Sequence, residues 1–140
     1  MLSEIRDVRQ IRGEGMRRWF MDSYFDLIVW YDDRGNTMGF QLCYDKPGRE
    51  RAFTWRKDHG CRHERIDTGE IPGRSDMTPV IASEPSSPDP GIVERFVRES
   101  ERLDPEIVRL VHDSISRYAT RTEEGLRDRR TRVHLCRQGT

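Results

Sequence analysis

Bulky apolar and polar residues alternate through "FDLIVWYDDRGNTMGFQLCYD", residues 25–45, and again through "RAFTWR" at 51–56. Successive side chains of a strand point to opposite faces, so a period of two predicts half-buried β-strands. Turn chemistry separates the runs: "DRGN" at 33–36 and "KPGR" at 46–49, the latter suiting a type II turn. With hairpin tips at Arg34–Gly35 and Pro47–Gly48, Phe25 falls opposite Tyr44, Leu27 opposite Leu42, Val29 opposite Phe40 and Tyr31 opposite Met38. Leu42 then meets Phe53, and Phe40 meets Trp55. Two turns chosen on local chemistry therefore select one common inward face. A slip of one residue would turn all of it outward. The pairing assumes no bulge beside Gly35.

The same register defines a second face. Its rows run Asp26–Cys43–Ala52, Ile28–Gln41–Thr54 and Trp30–Gly39–Arg56. Gly39 has no side chain to pack, which leaves room for the Trp30 ring, and Arg56 can stack on that indole. Ile28 and Trp30 are too apolar for open water, so this face is expected to be covered by the N-terminal segment, a second subunit, or a small ligand or peptide. Asp26, Ile28, Trp30, Gln41, Thr54 and Arg56 are its candidate binding residues.

Elsewhere the pattern is less regular. Leu2, Ile5, Val8 and Ile11 recur every third residue, which suits neither helix nor strand. "RRWFMDSYF" reads as a further strand turning at Asp22–Ser23, with Phe20 inward and Trp19 on the second face. "KDHG" turns the chain into "CRHERID". A Lys57–Gly60 pair would put Cys61 and His63 beside Arg56 and Thr54 on the second face, but would send Arg62 and Glu64 toward the core. Residues 68–76 read as loop, 77–83 as a short strand held to an edge by Pro79, and 83–91 as a linker.

Two helices follow, each opened by Asp-Pro, at Asp89–Pro90 and Asp104–Pro105. The Asp accepts orphan amide hydrogens and the Pro lacks one. Ile92, Val93, Phe96, Val97 and Leu103 form one apolar stripe, and Ile107, Val108, Val111, Ile115 and Tyr118 the next. The fold expected is α+β: an antiparallel meander of about four or five strands, roughly residues 17–83, with a helical hairpin at about 89–121 on one face. Residues 1–122 form one domain in this reading, and 123–140 a flexible basic tail.

Composition narrows the function classes. Lys+Arg and Asp+Glu both number 25, so no net charge draws nucleic acid or an anionic membrane. Lys46 and Lys57 are the only lysines. The resulting arginine excess is spread along the chain and reads as GC-rich, bacterial-like coding rather than as phosphate-binding forks. Three widely spaced cysteines are no disulfide framework. With no signal-like or membrane-length apolar run, a cytoplasmic protein is expected.

Candidate chemistry is sparse. His59, Cys61 and His63 alternate, yet no Cys-x-x-Cys accompanies them, and no metal or cofactor is expected. His63 with Asp67 is the one base–carboxylate pair worth naming. Asp67 is four residues on, about 13 Å along a strand, so contact would need a bend. Glu70, Asp26 and Asp45 are the other acids considered for that role. No Gly-x-Ser-x-Gly elbow and no phosphate-binding Gly-rich loop is present. "RDRRTRVHLCR" at 127–137 could touch phosphates. The leading expectation is a non-enzymatic interaction module, self-associating or binding a ligand through the second sheet face. The alternatives are a small hydrolase-like enzyme with His63 as base, and a nucleic-acid binder acting through the Arg-rich tail. Nucleic acid is not the favoured partner, and no membrane partner is expected.

Overall fold

The computed structural model describes residues 1–13, 15–67, 80–83 and 86–138; side chains are described for these except at 67, 80–83 and 125–138. The loop at 68–76, Glu70 and the first half of the strand expected at 77–83 lie outside that description.

Seven strands pair in sequence order into one antiparallel sheet. They are β1 (Ser3–Glu4), β2 (Met16–Met21), β3 (Asp26–Tyr31), β4 (Thr37–Tyr44), β5 (Arg51–Arg56), β6 (Gly60–Asp67) and β7 (Val80–Ser83). Two helices, α1 (Pro90–Glu99) and α2 (Pro105–Gln138), follow as a hairpin on one face. The α+β meander is as expected, with more strands, because β1 and β7 extend it at both edges.

The expected pairs hold across β3, β4 and β5: Leu27 lies opposite Leu42, Val29 opposite Phe40, Leu42 opposite Phe53 and Phe40 opposite Trp55. One pair differs. A register shift after Trp30 puts Tyr31 opposite Thr37 instead of Met38. The Gly35 loop is wider than a two-residue tip, with Asp32 N–H donating to the Asn36 carbonyl at 2.9 Å, and a β-bulge restores the frame.

The inward face is dry. Phe25, Leu27, Val29, Phe40, Leu42 and Phe53 are fully buried, and Phe96, Val111 and Ile115 of the helices close over them. Asp89 caps α1, its carboxylate accepting from Gly91 N–H at 2.9 Å. Val97 departs from the expected stripe: it is 43% exposed and lines an outer groove between the helices with Val93 and Ala119. Helical backbone runs to Gln138, beyond the apolar pattern that ends near Thr122. No proline or glycine run interrupts that segment, and its Arg, Glu and Leu content favours helix.

The N-terminal residues do not lie across the sheet. Leu2 is buried in the core, and its N–H donates to the Glu99 carbonyl at the end of α1. From there the chain runs in the plane of the sheet. Ser3 and Glu4 pair with Met21 and Phe20, and Ile5 N–H donates to the Trp19 carbonyl. Gln10 then uses its side-chain amide as a strand would use its backbone: it accepts from Arg17 N–H at 2.9 Å and donates to the Arg17 carbonyl at 3.0 Å.

Candidate functional site

Both helices pack on the inward face, and Trp19, Ile28 and Trp30 take no part in the core they close. The opposite face carries the expected rows, now lengthened by the neighbouring strands. One row is Arg17–Trp30–Gly39–Arg56, the next Trp19–Ile28–Gln41–Thr54–Arg62, and the third Met21–Asp26–Cys43–Ala52–Glu64. The candidate residues Asp26, Ile28, Trp30, Gln41, Thr54 and Arg56 thus share one surface.

Its local geometry follows from Gly39. A Cβ built there would stand 3.3 Å from Trp30 Cε3 and 2.6 Å from the Trp55 carbonyl oxygen. Only glycine lets the indole lie across β4 at that point. The Arg56 guanidinium stacks on the same ring, 4.6 Å from its centroid, an exposed cation–π contact worth about 0.5–1 kcal/mol. Gln41 Nε2 donates to Thr54 Oγ1 at 3.2 Å, and Asp26 pairs with Lys46 at 3.2 Å. Arg17 Nε and Trp19 Nε1 are buried without a partner among the described residues. A shallow groove of about 370 Å³ lies between Gln41, Thr54, Arg56, Arg62 and Glu64.

The charges on this face are segregated. Arg17 and Arg56 occupy one outer row, whereas Asp26 and Glu64 occupy the other. The two rows are four residues apart along the strands, about 13 Å. Cys43 lies in the acidic row. Burial, with Glu50 and Asp26 adding to it, pushes its thiol up to about 12. It stays protonated at neutral pH and is no nucleophile.

His63 is not on this face. The pairing of β5 with β6 sets Arg56 opposite Gly60, Trp55 opposite Cys61 and Phe53 opposite His63. The expected Lys57–Gly60 pair is off by one, and every side chain of β6 is inverted. The connection is a three-residue loop, Lys57–His59, and Gly60 at φ 75° takes the left-handed position after it. Arg62 and Glu64 therefore face outward, which removes the conflict of two charged residues aimed at the core.

His63 itself is buried between Tyr44, Phe53 and Tyr118. Its Nδ1 contacts the Ser86 carbonyl, which can only accept, so Nδ1 carries a proton. Nε2 lies 2.6 Å from the Tyr44 hydroxyl, in hydrogen-bond contact with it. The pair borders a polar recess of about 450 Å³ with Arg51, Asp45 and Asp89. Asp67 stands at the far end of β6, and its side chain lies outside the description. His59 is exposed in the loop, whereas Cys61 packs against the core, so the alternating His-Cys-His text is not one surface.

Tyr44→Phe tests the His63 arrangement. It removes the Tyr44 hydroxyl from a buried hydrogen bond to Nε2 and is expected to cost about 1–3 kcal/mol in a urea titration, the usual penalty for breaking a buried polar contact. A midpoint equal to that of the parent chain would show that the imidazole is satisfied in another way.

Fold and site together define a two-layer α+β protein with one sheet face packed by helices and an amphipathic, charge-segregated face opposite. The chain matches no family model, no curated protein and no solved structure. Among the described residues no helix is long and apolar enough to cross a membrane.

Proposed function

We propose that the protein is a non-enzymatic interaction module that pairs with a second copy of itself through the second sheet face. The observation that carries this reading is the order of the three rows: basic and aromatic, then mixed and apolar, then acidic. A two-fold axis lying along the middle row reverses the strand direction. It sets Arg56 of one copy beside Glu64 of the other, and Arg17 beside Asp26, at both ends of the contact. Self-complementarity of this kind is what an isologous dimer requires. Half-buried Trp and Arg side chains are also the types enriched where proteins meet.

The alternative of an enzyme with His63 as general base draws less support. Both ring nitrogens already contact partners, and Phe53 and Tyr118 pack against the ring. The Arg-rich stretch 127–137 falls within α2, and its side chains lie outside the description.

Charge reversal gives a decisive test by light scattering or sedimentation. The parent chain is expected at dimer mass in tens of micromolar protein. Arg56→Glu and Glu64→Arg should each be monomeric, because the 56–64 contact then places like charges together, twice by symmetry, at a cost of several kcal/mol. Mixing the two variants should restore a dimer, since each mismatched charge meets its opposite across the axis. A monomeric parent chain, or single variants that dimerise as well as the parent, sinks the proposal.

A further inference from the structure

On the helix side of the sheet, away from the dimer face, an open cavity of about 970 Å³ lies between the N-terminal segment, the β3–β4 loop and the start of α2. Its size is within the range of ligand sites, roughly 300–1,000 Å³. Tyr31 and Trp55 give it aromatic walls, and Ile107 and Leu110 an apolar side. Ligand pockets share this composition: mostly apolar lining with a few polar groups that select the ligand.

The charged groups described here are mostly acidic. Asp32, Asp33, Asp104 and Glu106 line the cavity against a single base, Arg18. Arg18 is already paired with two acids. Its Nε donates to Glu4 at 2.8 Å, one terminal nitrogen to Glu4 at 3.0 Å and the other to Asp104 at 2.9 Å. Two carboxylates thus offset its charge, and the cavity stays acidic. Asp32 is occupied as well, accepting from the Asn36 side-chain amide, the Asn36 backbone N–H and the Arg34 N–H inside the hairpin loop, and these bonds hold its carboxyl below the usual range. Asp33 and Glu106 remain: neither has an ion-pair or hydrogen-bond partner among the described residues.

We infer that this cavity binds a small organic cation, an ammonium or guanidinium group on a short apolar body, with Tyr31 and Trp55 receiving the body and Asp33 and Glu106 the charge. Aromatic faces attract cations through their quadrupole, most strongly for Trp. Unpaired carboxylates at the rim add Coulomb attraction and disfavour an anion of the same shape. The N-terminal wall is held in place. Gln10 is tied to the Arg17 backbone by two hydrogen bonds, and Gly15 runs so close to Tyr31 that a Cβ there would stand 2.2 Å from its carbonyl oxygen. The sequence gives no local sign of this site, because its walls come from segments far apart in the chain. The inference is independent of the dimer, whose face lies on the other side of the sheet.

Isothermal titration calorimetry of the full chain at low ionic strength tests it. Phenethylammonium and agmatine are expected to bind, and phenylpropionate to bind at least tenfold more weakly. The Asp33→Asn/Glu106→Gln double variant, altered only at exposed positions, should keep its melting temperature and lose at least tenfold in cation affinity. Trp55→Leu should weaken the same probes. N-Acetylarginine methylamide carries the agmatine guanidinium in a peptide frame. Agmatine binding as tightly as or more tightly than this compound supports a free small molecule, whereas tighter binding of the amide overturns that part of the inference in favour of a peptide. No heat from either cation at millimolar concentration overturns the site. So does equal affinity for phenylpropionate, or a double variant that binds like the parent.

Discussion

Phe53→Ala is expected to destabilise the protein by about 3–5 kcal/mol, the usual cost of emptying a buried phenylalanine site. Phe53 is fully buried where three strands and a helix meet. Its ring lies 6.0 Å from Phe40 on β4, 6.3 Å from His63 on β6 and 5.3 Å from Tyr118 on α2. No neighbour belongs to a free loop that could collapse into the void, so the cavity term adds to the lost transfer energy. Against a typical total stability of about 5–15 kcal/mol, that is a large fraction. Urea unfolding followed by circular dichroism measures it. A loss under about 1 kcal/mol would mean that the helices do not close over β5 as described.

Gly39→Ala should cost about 3 kcal/mol, at the upper end of ordinary overpacking. The added methyl would meet the Trp55 carbonyl oxygen at 2.6 Å and Trp30 Cε3 at 3.3 Å. The two conflicts differ in kind. The indole can rotate away, losing its stack with Arg56, whereas the carbonyl belongs to the β4–β5 ladder and moves only with the strand. A double-mutant cycle separates them. In a Trp30→Ala background, Gly39→Ala should remain costly by more than half its original penalty. If Trp30→Ala removes the penalty entirely, the ring alone is the obstacle, and the account of the backbone contact is wrong. Since Gly39 seats the Trp30–Arg56 stack, the proposed dimer requires the Gly39 variant to weaken self-association as well, in whatever fraction stays folded.

Both positions lie in the part of the chain most legible from sequence. Alternation over residues 25–56 names the two faces, and the Gly35 and Pro47–Gly48 turns set their register. The β3–β5 part of each row on the second face follows without any structure, as does the stacking of Arg56 on Trp30; Arg62 and Glu64 join those rows only in the structure. The Asp-Pro pairs place both helix starts for an equally local reason: a cap and a missing amide act within one turn.

The two glycine loops show where such reading stops. Each holds a glycine with positive φ, 81° at Gly35 and 75° at Gly60, and each is longer than a two-residue tip. In the first hairpin a bulge after Trp30 absorbs the extra residue, so only the Tyr31 pair changes. In the second the extra residue stays in the loop, and all of β6 inverts, carrying His63 from the second face into the core. Turn text is the same in kind at both loops; the difference lies in what each strand must bury. Arg62 and Glu64 cannot enter the helix-packed side, whereas a hydrogen-bonded histidine can.

The sequence by itself determined the antiparallel order, both faces of β3–β5 and the helix starts, because period, turn chemistry and caps act over a few residues. Only the tertiary structure decided three things. It placed β1 beside β2, through backbone pairing that leaves no side-chain period. It turned His63 inward, through the competition between a loop and a core. It assembled the cavity of Tyr31, Trp55, Asp33 and Glu106, whose walls approach only when the sheet and α2 pack. Each of these is set by long-range burial, and burial is not written in any short window of the chain.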